Sequence, residues 1–237
     1  MINSRKVIGV IGGMGPMATV DLFKKIVEKT DANCDNEHLH IIIDNSPDIP
    51  DRTACILQGS DEPARFMSES AQRLEKMGAD LLIIPCNTAH FFHDEVSAAC
   101  GIPILHMPEE TARAAFEAGI RCAGLLATDG TVQSGIYDKV FEKYGIELIK
   151  PDSEGQKKLM HMTYDEVKAG KPADTAALDG VLDDMESKGC EVFILGCTEL
   201  PIAYAGNTVR SFLDPTSILA EAAIRAVGGK VKAEVKL

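Results

Sequence analysis

The sequence predicts an α/β protein: two similar Rossmann-like or flavodoxin-like domains with parallel sheets, related by a pseudo-twofold axis, with an active-site cleft between them. Three observations carry this expectation. Gly78-Ala79-Asp80-Leu81-Leu82-Ile83-Ile84-Pro85-Cys86 is an apolar run ending in a cysteine, and Gly189-Cys190-Glu191-Val192-Phe193-Ile194-Leu195-Gly196-Cys197 repeats its plan. Continuous apolar runs of this length mark parallel strands covered on both faces. The spacings also agree: glycine to cysteine is eight residues in both runs, Gly9 to Cys86 is 77 and Gly124 to Cys197 is 73. An internal repeat of roughly 110 residues follows, far longer than a solenoid period.

The elements follow in order. Val7–Ile11 is a buried strand, then Gly12-Gly13-Met14-Gly15-Pro16 leads into a helix from about Pro16 to Thr30. Pro16 suits a first helical turn, and glycines let backbone amides approach a ligand at a helix N-terminus. Leu39–Asp44 is the second strand, the segment Asn45–Arg52 an ordered loop with two prolines, and Glu62–Met77 an amphipathic helix. The Cys86 strand, a helix to about Ala99 and a short strand Ile102–Leu105 complete the first half. The second half reads as a strand Ala123–Ala127, a loop Thr128–Thr131 and a helix Val132–Tyr144. A strand Ile146–Ile149 comes next, then a helical region 153–188 broken near Gly170-Lys171-Pro172. The Cys197 strand, a short helix, a strand Ser211–Leu213 and a helix Pro215–Val227 close the chain. The expected division is 1–106 plus 210–237 for the N-terminal domain and 107–209 for the C-terminal one. Hinges are expected near His106-Met107 and Val209-Arg210.

Composition narrows the function. The 237 residues are 45 % hydrophobic and 25 % charged, as in ordinary globular proteins. The net charge of −12 disfavours nucleic acid and anionic membranes as partners, and with no Trp there is no aromatic platform for single strands. Seven cysteines, an odd number without scaffold spacing, fit a reducing cytoplasmic compartment. No run suggests a signal peptide or a membrane span.

Cys86 and Cys197 end equivalent strands, where open α/β sheets place their ligand crevice. Each precedes a helix start, which lowers a thiol pKa, and each is followed by a hydroxyl residue, Thr88 or Thr198, able to orient a thiol. Buried packing is the ordinary role of cysteine and accounts for Cys34, Cys55, Cys100, Cys122 and Cys190. Four chemistries compete for the pair. A redox disulfide lacks Cys-x-x-Cys. A metal site of Cys86, His90 and His93 lacks a second ligand cluster, so no metal is expected. A single nucleophilic cysteine would need a base nearby. Proton transfer at a stereocentre needs two like groups on opposing walls, which the repeat supplies. Separately, Gly13-Met14-Gly15-Pro16-Met17-Ala18 fits a dinucleotide fingerprint, although Asp44 lies too far on for the ribose-binding acid.

Together, Ile11-Gly12-Gly13-Met14-Gly15-Pro16, Pro50-Asp51-Arg52-Thr53-Ala54, Pro85-Cys86-Asn87-Thr88-Ala89-His90 and Gly196-Cys197-Thr198-Glu199-Leu200 resemble the aspartate branch of the aspartate/glutamate racemase superfamily. The resemblance runs from Val7 to about Val227. It implies a homodimeric enzyme needing no pyridoxal phosphate or other cofactor and acting on a small acidic amino acid. It implies that Cys86 and Cys197 exchange the α-proton and that Arg52 takes a substrate carboxylate. Lys168, in Tyr164-Asp165-Glu166-Val167-Lys168, becomes the second cation. Asn87, Thr88, Thr128 and Thr198 become neutral hydrogen-bonding groups, and Met14 lines the site. Glutamate or broad-specificity racemases, a maleate-isomerase-like enzyme using one cysteine covalently, and a non-catalytic amino-acid sensor remain alternatives.

Overall fold

The computed structural model describes residues 6–204 and 209–233; residues 1–5 and 234–237, the outer ends of the expected N-terminal domain, lie outside them. The first half contains β1 (Ile8–Gly12), α1 (Pro16–Lys29), β2 (Ile41–Asn45), α2 (Arg52–Gln58), α3 (Glu62–Lys76), β3 (Leu81–Ile83) and α4 (His93–Ala98). The bridging helix α5 (Met107–Glu117) leads to β4 (Cys122–Leu126), α6 (Asp129–Ser134), α7 (Ile136–Lys143), β5 (Glu147–Ile149) and α8 (Ser153–His161). The chain ends with α9 (Asp179–Ser187), β6 (Val192–Leu195), α10 (Leu200–Ala203), β7 (Phe212–Leu213) and α11 (Pro215–Ala226).

Two parallel sheets form, ordered β2-β1-β3 and β5-β4-β6-β7. Ile104 adds a single parallel bridge beside Leu82, so the first sheet has the same order with its fourth strand reduced to one residue. This corrects the expected strand Ile102–Leu105: Pro103 has no N–H to donate to a ladder. β3 and β6 are equivalent strands, and the two thiols follow them.

Each sheet is covered on both sides, which explains the unbroken apolar runs. Ile11, Leu82 and Ile84 meet Met67 and Leu74 of α3, while Ile8, Val10, Leu81 and Ile83 meet Leu22 of α1 and Leu219 of α11. In the second sheet, Leu126, Phe193 and Leu195 meet Leu182 and Met185 of α9. Ala123, Leu125, Val192 and Ile194 meet Tyr137 and Phe141 of α7 and Ala115 of α5. Burying each such Leu, Ile or Phe contributes roughly 1.5–3 kcal/mol, so both faces of a central strand hold it in place. The paired glycines mark close approach: a Cβ at Gly9 would lie 2.5 Å from Leu82 Cδ2, and one at Gly124 2.7 Å from the Phe193 ring.

Three further differences from the sequence reading have local causes. α2 begins at Arg52, the last residue of the expected loop, and continues through residues to which the sequence reading gave no element; it starts because the Asp51 carboxylate accepts from Ala54 N–H at 2.8 Å. The helix expected at Val132–Tyr144 is two helices, α6 and α7, separated by Gly135 at φ 62°. Finally, the chain stays with the second sheet through Leu213. β7 pairs with β6, and Arg210 is held by Asp179, Asp183 and Glu186 of α9. The return crossing therefore follows Leu213, later than the expected boundary at 210 and the expected hinge at Val209-Arg210. α11 then packs on α1 and α5, tied by Lys25–Asp214 at 2.7 Å and Lys29–Glu221 at 2.9 Å.

Candidate active site

One narrow cavity, with only about 10 Å³ of open space, lies between the carboxyl ends of the two sheets. Cys86, Asn87 and Thr88 line one wall, Cys197, Thr198 and Glu199 another, and Met14, Arg52, Thr128 and Lys168 complete it with Asp51, Thr53 and Tyr164. All nine residues singled out from the sequence thus meet in one place.

Arg52 is 8 % exposed. Its position at the start of α2 turns the guanidinium inward, where Nη1 donates to the Ile49 and Pro50 carbonyls at 3.0 and 2.9 Å and Nη2 to Met14 O at 3.2 Å. Its Nε–H is buried without a partner, and no carboxylate pairs with the group among the described residues. A buried cation without a counter-charge is costly, so the site is built to receive an anion. Lys168 reaches the cavity from an exposed position on the rim. The preceding π-helical turn Met162–Val167 directs it, and its Nζ sits 4.0 Å over the Tyr164 ring. Burial pulls the ammonium pKa down, but the charges of Glu199 and Cys197 outweigh this and hold it above the ordinary lysine value.

The glycine loop works differently from a phosphate cradle. Gly13 N–H donates to Thr19 Oγ1 at 3.0 Å, and a Cβ at Gly13 would lie 2.4 Å from the Ser46 backbone. Asp44, the nearest candidate for a ribose-binding acid, accepts from Ser70 Oγ at 2.6 Å and pairs with Arg73 at 2.8 Å. The loop's visible contribution is the Met14 carbonyl that anchors Arg52.

Cys197 Sγ–H donates to Glu199 Oε2 at 2.9 Å, and Thr198 Oγ1 donates to the same oxygen at 3.3 Å. Burial, then the Glu199 charge, push the Cys197 thiol well above its ordinary pKa. This overturns the expected lowering by a helix start. The helix that follows, α10, is one turn long, whereas the carboxylate lies in hydrogen-bond contact. Nor do the neighbouring hydroxyls orient the thiols. Thr198 serves Glu199, and Thr88 Oγ1 lies 2.7 Å from Thr131 Oγ1 and 3.2 Å from Thr128 Oγ1. Thr53 Oγ1 donates to Thr128 Oγ1 at 3.2 Å. This buried hydroxyl cluster joins α2 and the Cys86 loop of one half to α6 of the other.

Asn87 is oriented by Tyr137, whose buried hydroxyl donates to Asn87 Oδ1 at 2.5 Å. That leaves Asn87 Nδ2 buried and without a partner, a donor available to a ligand. His90 and His93 turn away from the thiols, each with Nε2 on a backbone carbonyl, Ile84 at 3.3 Å and Ile104 at 3.1 Å. No group of three or more His, Cys, Asp or Glu side chains able to hold a metal occurs among the described residues. Likewise, no described helix is long and apolar enough to cross a membrane.

Sequence reasoning assigned no role to Asp51, Thr53, Tyr137, Tyr164 or Glu199. Four of these stand within or beside the motifs already singled out. Glu199 in particular carried a readable signal, a carboxylate two residues after a strand-end cysteine. Tyr137 carried none beyond a helical apolar position.

Comparisons with known proteins agree with this geometry. The family model described as Asp/Glu/Hydantoin racemase matches residues 11–223. The Picrophilus torridus aspartate racemase superposes with a TM-score of 0.83 at 31 % identity, covering 96 % of each chain. An aspartate racemase homologue from Pyrococcus horikoshii gives 0.76 at 27 % identity, over 94 % of this chain and 99 % of that one. The broad specificity amino-acid racemase RacX of Bacillus subtilis is 31 % identical over 208 residues, 81 % of this chain and 85 % of its own. The match spans both sheets and both thiols: the chain belongs to the Asp/Glu/hydantoin racemase family and is an amino-acid racemase.

Proposed function

We propose that the chain interconverts L- and D-aspartate by two-base proton transfer between Cys86 and Cys197. The observation carrying this reading is that both strand-end thiols line one small cavity with Arg52, a buried cation that has no acid partner among the described residues. The substrate side-chain carboxylate would meet Arg52 and Lys168, since a guanidinium suits bidentate carboxylate binding. The α-carboxylate would face Asn87 Nδ2 and the polar groups at Thr88, Thr128 and Thr198. One thiolate removes the α-proton from one face and the opposite thiol delivers a proton to the other. An α-proton beside a carboxylate is weakly acidic, so the developing charge needs fixed donors and the exclusion of water. Closure of the two halves about the crossings at His106-Met107 and after Leu213 would provide both. In this reading the enzyme works without a cofactor, as a homodimer in the cytoplasm; all seven cysteines are free, in keeping with a reducing compartment.

Glu199 takes a defined part in this scheme. To act as a base, Cys197 must first lose its proton, and the carboxylate 2.9 Å away is its acceptor. Because Glu199 also raises the thiol pKa, Glu199→Gln has two expected effects. In the direction that uses Cys197 as base, kcat falls about 10²-fold, the lower range for losing a general base. The rising limb of the pH–rate profile for that direction also moves to lower pH, because the thiolate no longer forms beside a like charge. Separate pH profiles for the two enantiomers check this, and an unmoved limb contradicts the role.

The substrate is tested with a panel of L- and D-amino acids scored for α-proton exchange in deuterated water. Exchange with both enantiomers of aspartate, and weaker exchange with glutamate and neutral amino acids, is the expected result. Comparable exchange across neutral amino acids would instead establish broad specificity, as named for the Bacillus subtilis relative. Binding without any exchange would establish a sensor.

A further inference from the structure

A second and larger crevice, of about 430 Å³, lies on the other side of the segment that carries Asn87. It holds neither thiol. One wall is formed by His90, Phe91 and His93, immediately after the Cys86 loop; another by His106 at the start of α5; the third by Lys139 and Val140 of α7. Both halves of the molecule therefore contribute to it.

Its chemistry is uneven in an informative way. Phe91 is 48 % exposed although large and apolar. The three imidazoles pack together, with His93 and His106 ring centroids 4.7 Å apart and His90 and His106 5.2 Å apart. His106 Nδ1 accepts from Glu109 N–H at 3.2 Å, which leaves its Nε2–H as a donor. Burial, then the neighbouring His93, hold the His106 pKa down at about 4, so the ring is neutral at physiological pH. His90 Nε2 faces the Ile84 carbonyl, while its Nδ1 is buried without a donor. Lys139 makes no ion pair among the described residues, whereas Lys143 lies 3.6 Å from Glu109.

We propose that this crevice is a second binding site, for a small aromatic carboxylate, and that its occupancy is transmitted to the catalytic cavity through α7. The aromatic body packs on Phe91 and the imidazole faces, where stacked and edge-on rings gain beyond simple burial. The carboxylate takes the Lys139 ammonium and the His106 Nε2–H. A ring N–H or O–H reaching the floor meets the unsatisfied His90 Nδ1. Asp94 and Glu109 also line the crevice and disfavour a dianion such as a phosphate. The route to the active site is short. Tyr137, also on α7, holds Asn87, and Phe91 follows Asn87 by four residues.

The test uses indole-3-acetate, whose fluorescence, excited beyond the tyrosine band, is read without tryptophan background because the chain has no Trp. The full chain is expected to bind it saturably at one site. Lys139→Glu and Phe91→Ala are each expected to weaken binding at least roughly tenfold, the loss of one charge-assisted or stacking contact, with basal racemisation unchanged. L-Aspartate does not displace the probe. Saturating probe changes kcat about twofold or more, and Tyr137→Phe keeps the binding while losing that change. No saturation up to about 10 mM, equal affinity in Lys139→Glu, or displacement by L-aspartate overturns the site. Binding with no effect on kcat overturns the transmission. The coupling rests on the racemase reading, but the binding measurements do not, so the two can fail separately.

Discussion

Cys86→Ala and Cys197→Ala are each expected to reduce interconversion of the aspartate enantiomers by about 10⁴-fold, the upper range for losing one acid–base group. Such an effect is large because neither thiol has a substitute. The two side chains follow equivalent strands and line one cavity, and in the two-base reading the remaining thiol reaches only one face of the substrate carbon. Each single variant should therefore keep α-deuterium exchange into one enantiomer without inversion, and the two variants should favour opposite enantiomers. Chiral chromatography of reactions run in deuterated water separates these products. Full racemisation by either variant would end the two-base mechanism. A stable mass increment on one cysteine would point instead to covalent, isomerase-like chemistry.

Replacing Arg52 by methionine should lower kcat/KM for aspartate by about 10²–10³-fold. Truncating one partner of a buried, hydrogen-bonded charge pair costs roughly 2–5 kcal/mol, and every 1.4 kcal/mol is tenfold. The guanidinium is held by three carbonyls and pairs with no acid among the described residues, so in this reading the substrate carboxylate supplies its ion-pair partner. Thermal unfolding gives an independent reading. At a ligand concentration of about 100 Kd, binding stabilises the native state by about 2.7 kcal/mol, or roughly 5–10 °C for a chain of this size. Aspartate should raise the Tm of the wild type by that amount and leave the Tm of Arg52→Met in place. An equal shift in both proteins would remove Arg52 from substrate binding.

Much of this site could be read from the chain because parallel sheets impose a strong pattern. A central strand buried on both faces must be apolar throughout, and it must end where the crevice begins. The runs before Cys86 and Cys197 therefore disclose both an element and its place in the fold. Arg52 and Lys168 follow no such pattern. Arg52 owes its orientation to the start of a seven-residue helix, and Lys168 to a π-helical turn, features that periodicity does not reveal. For those two residues the family resemblance, rather than spacing, pointed to the cavity. The raised Cys197 pKa was illegible for another reason. It depends on the contact distance to Glu199, whereas sequence reasoning saw only a helix start nearby.

The unequal surroundings of the two thiols have a thermodynamic consequence. Cys197 has a carboxylate acceptor at 2.9 Å, and among the described residues no carboxylate hydrogen-bonds to Cys86. The enantiomers of an amino acid have identical free energies in water, so the equilibrium constant of their interconversion is one. The ratio kcat/KM must then be the same in both directions, however lopsided the machinery. Any advantage in turnover that Glu199 confers on one enantiomer must reappear as an equal rise in the KM for that enantiomer. The asymmetry is visible only in the two constants taken separately, and it vanishes from their quotient.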